Sequence, residues 1–284
     1  MSVINTNVYS LGAQDALRQT NKGLETSLER LSTGLRINSA KDDAAGLAIS
    51  NRMTSQIRGM EVAARNANDG ISMAQTAEGA MGTLTDTMQR MRDLAVQSAN
   101  ATNTAEDRDN LNEEFKELQA ELGRIIDNTE FNGVKVLAGS LQSGAKFQIG
   151  ANTTSDNQIT FSLADLGNTS TGNGGLSTVI NGISIGGNAE FSQIMSAINV
   201  LDEGIKEVDT VRAKLGAVQN RFEVTIDNLN NAVVNESAAR SRIMDADFAK
   251  ETADLSKNQI LQQAGTSVLT QSNQLPQAVL GLLG

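Results

Sequence analysis

Apolar residues recur at alternating steps of four and three along most of this 284-residue chain. The first run is Leu17, then Leu24, Leu28, Leu31 and Leu35, the spacing of a coiled-coil seam. A polar break follows at 38–43, where Asp42 or Asp43 can cap the next helix and meet the positive end of its dipole. From about 44 to 100 the stepping continues through Met53, Ile57, Met60, Ala64, Ala67, Ile71 and Ala74. It resumes at Met81, Leu84, Met88, Met91 and Ala95. At 1.5 Å per residue, this predicts a rod of roughly 85 Å. Gly59, Gly70, Gly79 and Gly82 interrupt it, and close approach by another helix is a physical reason to keep them.

Thr104 or Ala105 opens a third helix with the seam Leu111, Phe115, Leu118, Leu122 and Ile125; its other face is acidic and solvated. Helical stepping returns at Phe191 as Ile194, Ile198, Leu201, Ile205, Val208, Leu215, Phe222, Ile226, Leu229 and Val233. Arg212 and Gln219 fall on that seam, each beside a valine that can replace it. A last helix carries Phe248 and Leu255, then steps Leu261, Ala264, Val268, Gln271, Leu275, Ala278 and Leu282. Pro276 lies inside this run and should kink or end it.

The middle of the chain differs. Asn132-Gly133 sits between apolar residues and predicts a tight turn. Two short strands are expected at 146–150 and 158–163, with a hairpin loop at 152–157. Residues 167–190 are rich in Gly, Asn, Ser and Thr, with a further strand possible at 179–185. The fold class that follows is mainly α. Long antiparallel coiled-coil or helical-bundle rods form from the N- and C-terminal segments, around a small central region containing a β-hairpin. If the ends pair, the chain is a long hairpin with its middle at the far tip. The outermost helices are marginal alone and need partners.

Composition removes most chemistry. The chain has no His, Cys or Trp, one Pro, seven Phe and one Tyr. No disulfide framework, thiolate nucleophile or histidine-based triad is possible. No cofactor is implied. Asp42-Asp43 and Asp245/Asp247 could be imagined as an acid or metal pair, but capping explains them more simply. A net charge of −10 argues against nucleic acid. No apolar run is long enough for a membrane span, and the N-terminus lacks the basic and apolar pattern of a cleavable signal peptide.

The stretch Glu29-Arg30-Leu31-Ser32-Thr33-Gly34-Leu35-Arg36-Ile37-Asn38-Ser39-Ala40-Lys41-Asp42-Asp43, continuing to Ile49, closely resembles the N-terminal hallmark of bacterial flagellins. So do 89–97, 131–137, Ser241-Arg242-Ile243-Met244-Asp245-Ala246-Asp247-Phe248 and the Leu275-Pro276-Gln277 ending. The resemblance covers roughly 1–140 and 190–284 and implies a subunit of the flagellar filament, exported unfolded by the flagellar type III apparatus. It implies inner-core helices at 1–43 and 241–284, a second shell at 44–140 and 191–240, and a β-hairpin with a short stub at 141–190. The partners it implies are further copies of the chain, a secretion chaperone on the C-terminal helices, and filament cap and hook-junction proteins.

Three groups of site residues are expected. Exposed apolar stripes mark interaction surfaces, so Leu24, Leu28, Leu31, Leu35, Leu261, Val268, Leu275 and Leu282 are expected at subunit interfaces. The resemblance implies a surface for the animal innate receptor Toll-like receptor 5 at Gln89, Arg90, Leu94 and Glu114; the plain alternative is a helix face with Met91 and Ala95 inward. O-glycosylation, found in some flagellins, would fall on Thr153, Thr154, Ser155, Thr169, Ser170 and Thr171, where a plain polar loop is the other reading. Two functional alternatives stand beside the filament subunit. One is a hook–filament junction protein with flagellin-like ends. The other is a secreted enzyme on such ends, for which about 50 polar residues without His or Cys are a poor candidate.

Overall fold

The computed structural model describes residues 6–167, 176, 180 and 182–283, with side chains described through 274. It holds five long helices: α1 (Val8–Thr33), α2 (Ala44–Ser98), α3 (Ala105–Asn128), α4 (Phe191–Met244) and α5 (Phe248–Leu283). Two hairpins accompany them, β1 (Glu130–Phe131) with β2 (Val134–Lys135), and β3 (Ala145–Gln148) with β4 (Gln158–Phe161). The chain divides into two compact units, a terminal one of residues 1–57 with 234–284 and a central one of 58–233.

The ends of the helices follow from local chemistry. Asn7 caps α1 by accepting the Ser10 N–H at 3.1 Å, so this helix begins well before the Leu17 seam. Gly34, at φ 71°, ends it in the left-handed conformation that a side chain disfavours. Leu35 therefore lies beyond the helix. Thr104 and Asp107 form a reciprocal capping box at the start of α3. Asn132 and Gly133 both have positive φ, 50° and 77°, the two-residue turn that joins β1 to β2.

In the central unit the expected seams become core. Met81, Leu84, Met88 and Met91 of α2 meet Phe115, Leu122 and Ile126 of α3 and Ile194, Leu201, Val208 and Leu215 of α4, all at most 1% exposed. Fully burying each such side chain is worth about 1.5–3 kcal/mol. Helices α2 and α4 run antiparallel here, as Arg92 pairs with Asp202 and Glu78 with Gln219. The two polar positions on the α4 seam are handled as expected: Val211 is buried and Val218 packs on the core.

Strands β3 and β4 sit where the alternation placed them, with Phe147 opposite Ile159. Phe147 meets Phe161 and Phe222 edge-on, at centroid distances of 6.5 and 5.6 Å. Phe222 fills the space left by Gly70, and Ala151 the space left by Gly59. A methyl added at Gly79 or Gly82 would meet nothing within 4 Å, so close packing inside the chain explains only two of the four glycines.

The possible strand at 179–185 is not formed over 182–185; residues 177–179 and 181 lie outside the described residues. Side chains of α3 hold this segment instead of a neighbouring strand. Gln119 Nε2 donates to the carbonyls of Ile180 and Ile183, and Asn112 Oδ1 accepts the Ile185 N–H at 3.0 Å. Helix α5 does not end at Pro276 but continues through it to Leu283.

Candidate functional site

The terminal unit is built from α1 and α5 packed antiparallel. Contacts descend one helix as they climb the other: Asn7 with Ser272, Leu17 with Gly265, Asn21 with Gln262, Gly23 with Asn258, and Arg30 with Glu251. Many of the side chains at these contacts are small or polar, with Leu17 packed against Gly265 among them. Glycine at 23 and 265 lets Asn258 and Leu17 approach, and an added methyl would meet them at 3.0 and 3.1 Å. Arg30 donates to Glu251 at 3.0 Å, with Glu251 only 8% exposed.

Several large apolar residues are left uncovered, while Leu17, Leu255 and Leu269 are half-buried. On α1, Val8, Tyr9, Leu11 and Leu28 are 50–78% exposed, and on α5, Ile260, Leu261 and Val268 are 45–66% exposed. The expected stripe through Leu261, Ala264 and Val268 is present, but it is the 258/262/265 edge that faces α1. Leu24 and Leu31 are half-buried. Leu35 differs in place: Gly34 ends α1, so Leu35 lies off the helical stripe and bridges to Asp245. Leu275 and Leu282 have side chains outside the described residues. Among described residues of this unit, only Ile37 and Ile57 are buried apolar side chains.

The hallmark residues after α1 build a clamp. Leu35 and Asp245 form an antiparallel bridge, flanked by Arg36 N–H to the Met244 carbonyl at 2.6 Å and Ala246 N–H to the Gly34 carbonyl at 3.0 Å. The Arg36 guanidinium donates twice to the Ile243 carbonyl. Asp42 accepts from the Asn38 and Ser39 N–H groups and from the Ser39 hydroxyl. The Ser39 backbone and hydroxyl bonds hold its carboxyl below the usual carboxylate value. Asp43 caps α2 through Gly46 N–H, and Asp247 caps α5 through Ala249 and Lys250. Asp245 accepts from the Ser241 hydroxyl. The four aspartates thus act as turn and cap acceptors. No group of three or more acidic residues suited to a metal occurs among the described residues.

The expected receptor residues separate. Gln89, Arg90 and Glu114 are exposed, and Arg90 binds Glu114 through Nε at 2.9 Å and Nη2 at 2.6 Å. Leu94 does not join them. It is 1% exposed and packs in the core with Met91 and Ala95. Because α2 is covered by both α3 and α4, its buried face is wider than one seam, and Leu94 falls inside it. Sequence reasoning missed the Arg92–Asp202 pair, two residues from Arg90, because its partner is 110 positions away. Thr153, Thr154 and Ser155 are exposed in the β3–β4 loop. Thr169, Ser170 and Thr171 lie outside the described residues. Among the described residues, no helix is long and apolar enough to cross a membrane.

Comparison with known proteins adds the lineage. A model of the bacterial flagellin N-terminal helical region matches residues 4–142, and one of the bacterial flagellin C-terminal helical region matches 198–283. Flagellin A of Vibrio cholerae serotype O1 is 40% identical over 375 aligned positions, with 99% of each chain covered. Set against 284 residues, that alignment holds at least 91 positions where this chain has no residue. A flagellin of Halalkalibacterium halodurans aligns over 282 positions at 44% identity, again covering 99% of each chain. A solved structure described as a putative flagellar hook-associated protein of Vibrio parahaemolyticus superposes with a TM-score of 0.60. It covers 72% of this chain and all of that one at 12% identity, which shows a shared fold alone. With family models over both ends and 40–44% identity to flagellins along the whole length, the chain belongs to the bacterial flagellins, the structural subunits of the flagellar filament.

Proposed function

We propose that copies of this chain meet through the outward apolar faces of α1 and α5, and that these contacts carry filament assembly. The observation behind this is the terminal unit's uneven burial: its two helices meet at many small and polar residues and at Leu17, and leave Leu28, Ile260, Leu261 and Val268 in water. Exposed apolar stripes of this kind are covered by a partner, and a subunit that polymerises supplies identical ones. The work of the assembled filament is mechanical: it transmits torque as an extracellular propeller. Replacing Leu261 and Val268 together with Ser is expected to leave the thermal unfolding of the monomer unchanged and abolish polymerisation. Polymerisation at the normal concentration would refute the assignment. A secretion chaperone that shields the same face before type III export is expected to lose affinity for the same variant. Cap and hook-junction proteins would meet this face at the two filament ends; a cap that binds the variant filament ends normally argues against that.

We also propose that Gln89, Arg90 and Glu114 form a surface for the innate receptor, with Leu94 supporting it from beneath. The exposed, doubly bonded Arg90–Glu114 pair favours this reading. In a reporter-cell assay of monomer, Arg90→Ala should lose most of the signal; an unchanged signal would remove the assignment. Leu94→Ala is a poor probe, since it opens a core cavity. Thr153, Thr154 and Ser155 are accessible to O-glycosylation. Filaments whose subunit mass equals the 30.0 kDa of the sequence would exclude it.

A further inference from the structure

The single proline creates a defect that another part of the chain repairs. In an α-helix the N–H of residue i bonds the carbonyl of residue i−4. Residue 276 stands four positions after Ser272 inside α5, and proline has no N–H to give. The Ser272 carbonyl is therefore left without its helical donor, at a residue only 8% exposed. A buried carbonyl without a partner is costly.

Asn7 supplies the missing donor. Its Nδ2 bonds the Ser272 carbonyl at 2.8 Å. The same side chain accepts the Ser10 N–H through Oδ1 at 3.1 Å and so caps α1. Ser10, 7% exposed, donates its hydroxyl to Asn273 Oδ1 at 2.8 Å. Both halves of one amide are thus used, one to start α1 and one to complete the ladder of α5.

We propose that Asn7 is a positioning residue for assembly. It fixes the register of α1 on α5 by seating its amide on the one carbonyl that Pro276 vacates. A sliding of one helix along the other would leave that carbonyl empty, so the proline defines a unique socket. The proposal rests on the reading that the α1–α5 pair forms the filament interface.

The test is a double-mutant cycle in reconstituted filaments, reading the critical concentration for polymerisation. Asn7→Ala should raise it about fivefold to tenfold, which corresponds to roughly 1–1.4 kcal/mol for a lost buried hydrogen bond. Pro276→Ala restores an N–H at position 276 and makes Asn7 dispensable for the Ser272 carbonyl. In that background the Asn7→Ala effect should shrink to the part due to the cap. Asn7→Asp separates the two roles, because it keeps the cap acceptor and loses the donor. With Pro276 present it should show the Asn7→Ala effect less the part due to the cap, and in the Pro276→Ala background it should have no effect. If Asn7→Ala does not assemble at all, assembly of Asn7→Ala/Pro276→Ala supports the proposal and its failure overturns it. Equal effects of Asn7→Ala in both backgrounds, or none in either, also overturn it. Normal assembly of the Leu261/Val268 variant would instead sink the underlying interface reading.

Discussion

The central and terminal units are both helical, yet they use their seams in opposite ways. In the central unit three helices bury Met, Leu, Ile and Phe against one another, and the apolar stripes of α2, α3 and α4 face inward. In the terminal unit two helices meet along Gly23, Asn258, Gln262 and Gly265, and the apolar stripe of α5 faces outward. Three helices can enclose a core between them. Two cannot cover more than one side of each other. A pair that spent its apolar residues on the mutual seam would keep nothing with which to bind a neighbour. The small and polar residues on the seam let the helices come close, with Leu17, Leu24 and Leu31 half-buried, while Leu28, Ile260, Leu261 and Val268 stay exposed.

The largest test of this contrast is the cost of truncating a leucine. Leu122, 1% exposed on the core face of α3, should lose about 3–4 kcal/mol when replaced by Ala, the transfer and cavity cost of a core leucine. Leu28, 50% exposed, should lose under about 0.5 kcal/mol in the monomer. Urea unfolding of monomer measures both. Similar losses at the two sites would mean that the terminal stripe is already covered within one chain, and the contrast would fail.

Glycines give a smaller effect with a change of sign. A methyl at Gly70 would stand 2.7 Å from Cζ of Phe222, a ring that also meets Phe147 edge-on. Overpacking costs about 1–3 kcal/mol, and the gain in helix propensity offsets roughly 1 kcal/mol of it. Gly70→Ala should therefore destabilise the monomer. Gly79→Ala and Gly82→Ala meet open space and should stabilise it by up to about 1 kcal/mol each. A shared sign for all three in the urea midpoint would remove the link between Gly70 and the aromatic cluster.

Much of this architecture is legible in the sequence because helix periodicity and turn chemistry are local. The starts of α2, α3, α4 and α5, the Asn132-Gly133 turn and the β3–β4 register follow from residues within a few positions of one another. What the sequence does not reveal is non-local. The 3–4 pattern marks an apolar stripe on α5 but not which side α1 will take, since that depends on glycines and amides of a helix some 240 residues away. Leu94 reads as surface from its motif, whereas a second covering helix buries it. Pro276 reads as a kink or an end by the usual rule, and the Asn7 amide that meets the Ser272 carbonyl it vacates is far off in sequence. The 179–185 stretch reads as a possible strand, but α3 side chains bond the Ile180 and Ile183 carbonyls and the Ile185 N–H, and no strand forms at 182–185.

The smallest expected effect concerns acid. At the start of α3 the Thr104 hydroxyl donates to the Asp107 carboxylate at 2.7 Å and the Thr104 N–H at 3.0 Å, while Asp107 N–H donates back to the hydroxyl. The hydroxyl bond, then the backbone bond, holds the Asp107 carboxyl below its ordinary value of 3.8. A carboxylate depressed in the folded state stabilises that state above its unfolded pKa, and the contribution fades as pH falls through the folded one. The capping box should thus be intact at pH 7 and fail only below about 3.8. Asp42, held low by Ser39 in the terminal unit, should release its turn in the same range. Carboxyl NMR titration of monomer should place both midpoints below 3.8, and Thr104→Ala should return Asp107 alone to its ordinary value. Caps of this kind occur in both units, so acid should loosen helix starts in each without distinguishing them. A terminal unit that came apart well above pH 4, with the central unit intact, would show that a different titrating group holds the α1–α5 pair.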